Sequence, residues 1–174
     1  VYRLIKNGLN CGNLGGAYEN LGLYQKARDV YEDYLKNVAD DPQFHRVLAY
    51  NYLAERKFGP AQSEADKAFL LDPQNNENLF LKGSILFEQD DLTGAESEFQ
   101  KLLEAKPETY ALNARYQLAM IDLCRGDFEK AIEQITKTIQ ISRAMGEKYW
   151  ESVALGYLSY LHQLRGNIAM AEAE

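Results

Sequence analysis

Two histidines, two cysteines and a few acidic turns are the residues of this chain whose types lend themselves to chemistry. An enzyme needs such groups to converge in one pocket. His45 stands beside Arg46 in an apolar-periodic stretch, where a packed or surface histidine is expected. Asp122 and His162 occupy matching places 40 residues apart, so an Asp122–His162 contact is the one acid–imidazole pairing to look for. Without a nucleophile or metal set beside it, such a pair fixes packing rather than catalyses. Cys11 and Cys124 have no neighbouring Cys or His pair, so no zinc spacing is present; both are expected to be small buried apolar residues. Gly12-Asn-Leu-Gly-Gly16 lacks the preceding strand and following Lys of a phosphate loop. Asp40-Asp41 and Asp90-Asp91 read as turn residues, because a calcium loop needs further oxygen ligands at fixed spacing. The sequence therefore predicts no catalytic residue, no metal site, no cofactor and no enzyme activity.

The elements that carry these residues are built from 174 residues, 46% hydrophobic and 26% charged, a balance that folds. The net charge of −7 and the scattered lysines and arginines disfavour nucleic acid. No apolar run approaches the ~20 residues of a membrane helix, so membrane insertion is not expected. Two cysteines make no disulfide framework, which fits a reducing compartment, the cytoplasm being the expectation. Both ends, Val1 and Glu174, read as cuts from a longer protein.

The strongest pattern is internal repetition. A turn residue, then an apolar residue, then an alanine recur as Gly22-Leu-Tyr24-Gln-Lys-Ala27, Arg56-Lys-Phe58-Gly-Pro-Ala61, Asp90-Asp-Leu92-Thr-Gly-Ala95, Gly126-Asp-Phe128-Glu-Lys-Ala131 and Gly166-Asn-Ile168-Ala-Met-Ala171. The alanines step by 34, 34, 36 and 40 residues. Twelve residues before each stands a small residue: Gly15, Ala49, Gly83, Ala119 and Ser159. Three residues after each of these comes Tyr18, Tyr52, Leu86, Asp122 or His162. Pro42, Pro73 and Pro107 follow their alanines and are expected to end the second helix of each repeat. Within repeat two, Phe44, Val47, Leu48 and Leu53 have helical periodicity, and Ala61, Ala65, Ala68 and Phe69 form the facing stripe.

These landmarks resemble the tetratricopeptide repeat family over nearly the whole chain. The resemblance implies an all-α fold, a right-handed α-solenoid of stacked antiparallel helix pairs. The chain then reads as one array with repeats at about 8–41, 42–75, 76–111 and 112–151 and a partial fifth at 152–174. The segment from Ile139 to Trp150 resembles the family's longer variant, in which the second helix extends and a glycine turn replaces the proline; Trp150 is expected to wedge into that junction, or else to serve as a binding anchor. A bare last helix is an expected route to self-association.

In this family the first helix of each pair lines the inner, concave face. On that basis the partner-binding groove is assigned to Arg46, Tyr50, Phe80, Ser84, Phe87, Asn113, Tyr116, Met120, Leu123 and Tyr160. Apolar and aromatic groups on such a face either receive a partner's apolar anchors or pack on one another. The family's two-carboxylate clamp is not expected: its positions, for example Arg46, Tyr50, Leu81, Asn113 and Gln117, do not supply the charges. Gly12, Gly15 and Gly16 weaken the first helix by roughly 1 kcal/mol each relative to alanine; either a ligand or a preceding helix approaches the backbone closely there, or the end repeat frays. The leading expectation is a scaffold or adaptor that binds a protein partner, a peptide or helix with apolar or aromatic anchors. The alternative is a regulatory arm of a larger kinase, transcription factor or transferase. A helical-repeat RNA binder is disfavoured by the acidic balance.

Overall fold

In the computed structural model of the protein, residues 7–171 are described, with side chains described through residue 166. Those residues form nine α-helices and no strand. They fall into two compact units, residues 1–90 and 91–174.

The first unit contains α1 (Gly8–Asn20), α2 (Tyr24–Asn37), α3 (Pro42–Ala54), α4 (Phe58–Leu71) and α5 (Asn76–Glu88). Short polar residues start them. Asn7 accepts from the Asn10 amide at 2.8 Å, Asp41 from the Gln43 amide at 2.8 Å and Asn75 from the Glu77 amide at 3.0 Å, each satisfying a helix-end donor. Asp41, one of the acidic turn residues, is thus a helix cap. Pro42 sits at the first position of α3, where its missing amide costs nothing; it opens a helix rather than closing the one before. Consecutive helices pack, and α3 also touches α5. Ala27, Tyr31, Tyr34, Phe44 and Leu48 form one buried cluster, and Ala49, Ala61, Ala65, Leu81 and Ile85 a second. Phe69 departs from its expected stripe and is exposed; the buried face of α4 is narrow, carried by Ala61, Ala65 and Ala68.

The second unit contains α6 (Leu92–Gln100), α7 (Thr109–Cys124), α8 (Phe128–Met145) and α9 (Lys148–Ala171). Asp91 and Asp127 cap α6 and α8. The core joins Ala119, Ala131, Ile135, Ile139, Ala154 and Leu161. The extended α8 ends at Gly146, whose left-handed φ of 74° lets the chain turn back, as the longer repeat variant implies.

Three expectations are corrected here. α6 stops at Gln100, well before Pro107. Leu102, Leu103 and Ala105 donate to the carbonyls three residues back, tightened turns that carry Leu102 into the core. Second, no turn forms at Gly166, because α9 runs on as one helix to Ala171; a lone glycine is tolerated inside a helix. The side chains of Ile168 and Ala171, the landmarks of repeat five, lie outside the described residues, as do those on which self-association was expected to rest. Third, Cys124 is exposed and Cys11 only half-buried, both as free thiols.

The turns inside the first four repeats share one geometry. Gly22, Arg56, Asp90 and Gly126 all have positive φ, at 71°, 56°, 63° and 76°. They head four of the five recurring phrases read from the sequence. The small residues also coincide: Gly15, Ala49, Gly83 and Ala119 are buried, while Ser159 is exposed.

Candidate functional site

In the first unit α1 and α3 run side by side. An added Cβ at Gly8 would meet the Phe44 ring, while at the other end Glu19 accepts from the Asn51 amide at 2.9 Å. Between these ends lies a cavity of about 500 Å³ lined by Leu9, Gly12, Gly16, Glu19, Tyr31, Asp41, Gln43, Phe44 and Val47, among others. The glycines differ in role. At Gly15 an added Cβ would lie 2.0 Å from the Tyr31 ring, so this glycine admits close packing. At Gly12 and Gly16 it would meet nothing within 4 Å, so these two leave the cavity open.

Behind the cavity is a buried polar network. Arg28 donates to Asn51 Oδ1 at 2.6 Å, to Gln25 Oε1 at 2.9 Å and to the Glu55 carboxylate, and its guanidinium lies over the Tyr52 ring. The hydrogen bond from Arg28 holds the Glu55 carboxyl below its ordinary range. Burial, with the neighbouring Glu19 carboxylate, pushes the Tyr31 phenol above the usual tyrosine range. A smaller cavity of about 180 Å³ adjoins the other side of Glu19 and includes Tyr50.

Arg46 does not reach into open groove. It is 8% exposed, with Nε 3.3 Å from Glu77, a terminal nitrogen 3.7 Å from Asp72, and the same nitrogen donating to Asn78 at 3.4 Å. Phe80, Ser84 and Phe87 are half-buried on α5, and the Ser84 hydroxyl donates to the Phe80 carbonyl at 2.9 Å. His45 is packed between two carboxylates, Glu64 at 2.6 Å and Asp40 at 2.8 Å, a pairing the sequence did not signal.

In the second unit, Met120 and Leu123 of α7 face Ser152, Val153, Gly156, Tyr157 and Tyr160 of α9 across a groove of about 690 Å³. None of these seven residues carries a formal charge. Gly156 widens the groove, since an added Cβ would find no neighbour. Tyr160, half exposed, stands on its rim. Three of the ten expected groove residues, Met120, Leu123 and Tyr160, therefore share one depression. Tyr116 is instead packed edge-on against Tyr157, 4.6 Å between centroids, and against Trp150 at 6.4 Å. Burial and the Tyr157 hydrogen bond raise its phenol above the usual range. Trp150 thus wedges α7 against α9. Asn113 is half-buried higher on α7. Asp122 and His162 are not brought together: Asp122 is buried, whereas His162 is exposed with Nδ1 3.5 Å from Arg165. Desolvation, reinforced by Asp127, raises the Asp122 carboxyl above the usual aspartate range against the pull of Lys130. Among the described residues there is no metal-ligand cluster and no helix long and apolar enough to cross a membrane.

Family comparison gives matches to two tetratricopeptide repeat patterns, over residues 10–37 and 46–108. Solved structures resemble the chain along most of its length. RapI in its apo form superposes with a TM-score of 0.71 at 15% identity, over 95% of this chain and 66% of that one. The pilF protein of Pseudomonas aeruginosa gives 0.70 at 19% identity, over 88% and 68%. A tetratricopeptide repeat protein from Parabacteroides merdae gives 0.68 at 20% identity, over 97% and 64%. The chain spans about two thirds of the length of these three. At such identities the likeness is one of fold, an all-α helical-repeat solenoid.

Proposed function

This chain belongs to the tetratricopeptide repeat family, and on that premise we propose that it is a non-catalytic scaffold or adaptor that takes a peptide or helix of a protein partner on the inner faces of its first helices. Repeat modules of this family mediate protein–protein interaction. The single observation that carries the reading is the groove between α7 and α9: an open depression of about 690 Å³ with no charged lining residue, in a chain with 26% charged residues. An uncharged, aromatic-rimmed groove accepts apolar side chains spaced as on a helix or extended peptide, and anchor residues in such pockets carry most binding energy. Tyr160 and Met120 are the residues assigned to that anchor site. Tyr116 and Trp150 hold the groove's shape through their mutual packing.

The test is selection of displayed random peptides on the protein, followed by affinity measurement on the Met120→Ser/Tyr160→Ala double variant. Tyr160 is exposed enough that its loss leaves the fold intact. Peptides with recurrent apolar anchors, weakened at least tenfold by the double change, are expected; about 1.4 kcal/mol corresponds to that factor. Selected peptides that bind the double variant as they bind the parent protein would remove the groove from the account.

A further inference from the structure

The cavity between α1 and α3 differs in chemistry from the α7–α9 groove. Its walls are apolar, with Leu9, Phe44 and Val47, and its open side runs along the bare backbone of Gly12 and Gly16. Among the described residues its charges are of one sign: Glu19 and Asp41 line it, and no lysine or arginine does. Among the described residues neither carboxylate has an ion-pair partner. Arg28, the buried cation that shares Asn51 with Glu19, is committed to Glu55, Asn51 and Gln25. Glu19 is held in place by two donors, the Asn51 amide at Oε1 and the Tyr31 hydroxyl. A carboxylate has about four acceptor sites, so it retains capacity toward the cavity.

We propose that this cavity receives a basic side chain, arginine or lysine, of a partner peptide. The charged head sits on Glu19 and the aliphatic stem lies along Gly12 and Gly16 against Leu9 and Val47. A long cationic side chain suits such a slot because its methylenes favour apolar walls while its head needs an acceptor. Asp41, at the far end of the cavity, adds to the negative potential that draws the peptide in. The inference deepens the proposed function by naming the chemistry one part of the partner must have.

The experiment uses peptides selected by display on the intact chain, resynthesised with each arginine replaced by citrulline, or each lysine by norleucine. The expected result is enrichment of a basic position whose neutral replacement weakens binding about tenfold on the parent protein and has no effect on Glu19→Gln. Gly16→Leu, which fills the cavity from a helical position with better propensity, is expected to fold at least as well and to lose the same peptides. Enriched peptides without a basic position, equal losses on neutral replacement in the parent and Glu19→Gln proteins, or unchanged binding to Gly16→Leu would each overturn this assignment while leaving the interaction function standing. Failure to enrich any peptide would overturn both.

Discussion

The ring of Tyr31 occupies the space where Gly15 has no side chain, 2.0 Å from the position an added Cβ would take. Tyr31 is nearly fully buried, so it has no room to withdraw. Intrinsic propensity favours alanine over glycine by about 1 kcal/mol in a helix, but overpacking a rigid core costs about 1–3 kcal/mol. Gly15→Ala is therefore expected to lower stability by about 1 kcal/mol. Gly12→Ala, whose Cβ meets open space, is expected to raise it by about 0.5–1 kcal/mol. Urea unfolding of the two variants, run in parallel, gives the comparison; equal shifts would contradict the packing.

Asp90 holds a left-handed backbone with φ of 63°, a conformation that costs a non-glycine residue roughly 1 kcal/mol. Glycine stands in the equivalent slot at Gly22 and Gly126. Asp90→Gly is expected to stabilise the protein by up to about 1 kcal/mol, the relief of strain partly offset by greater freedom of the unfolded chain. A thermal melt that moves downward would show that the aspartate side chain does more there than its backbone geometry indicates.

The sequence assigns both Arg46 and Tyr160 to the groove, yet their substitution should read out differently. Removing Arg46 strips Glu77, Asp72 and Asn78 of a shared, largely buried partner, and Arg46→Ala is expected to cost about 2–3 kcal/mol of stability. Tyr160→Ala is expected to change stability by under about 0.5 kcal/mol and to act on peptide binding instead. Calorimetry separates the two.

Asp122 makes stability respond to pH in a definite direction. Its carboxyl is raised in the folded protein by burial first and by Asp127 second, so the folded state binds its proton more tightly than the unfolded chain. The stability it contributes is fully present below the ordinary aspartate range and is lost as pH rises through the raised folded value. Asp122→Asn removes that dependence. The variant is expected to have the higher urea midpoint at neutral pH, with the difference closing on acidification into the ordinary aspartate range. A gap that widens in acid would reverse the assignment.

What the sequence made legible is the phase of the repeat. Gly15, Ala49 and Ala119 are small because a helix packs on them, and Gly22, Arg56, Asp90 and Gly126 recur because each turn needs one left-handed residue. Both constraints are local, so both leave a mark at fixed spacing. The fifth repeat failed that test: Gly166 matches the turn position in letter, but helix continues through it. The end of α6 was misjudged because Pro107 forbids helix at its own position without saying where helix stops earlier. At the site, the grouping of Met120, Leu123 and Tyr160 around one depression was legible from their helical register. Arg46 was not separable from them, since its partners Asp72, Glu77 and Asn78 come from the following loop and helix. The Arg28–Asn51–Glu19 chain and the His45–Glu64 contact were invisible for the same reason: polar burial there is decided by pairs far apart in sequence.

The glycine content of α1 has a consequence for the order in which the first unit comes apart. Four of its thirteen residues are glycine, so it draws little cohesion from its own backbone and depends on docking against Tyr31 and Asn51. Its amides should exchange with solvent sooner than those of α3 and α4, in an opening short of global unfolding. Because α1 is one wall of the cavity, that opening and the cavity are mutually exclusive, and anything lodged there would slow deuterium uptake along α1.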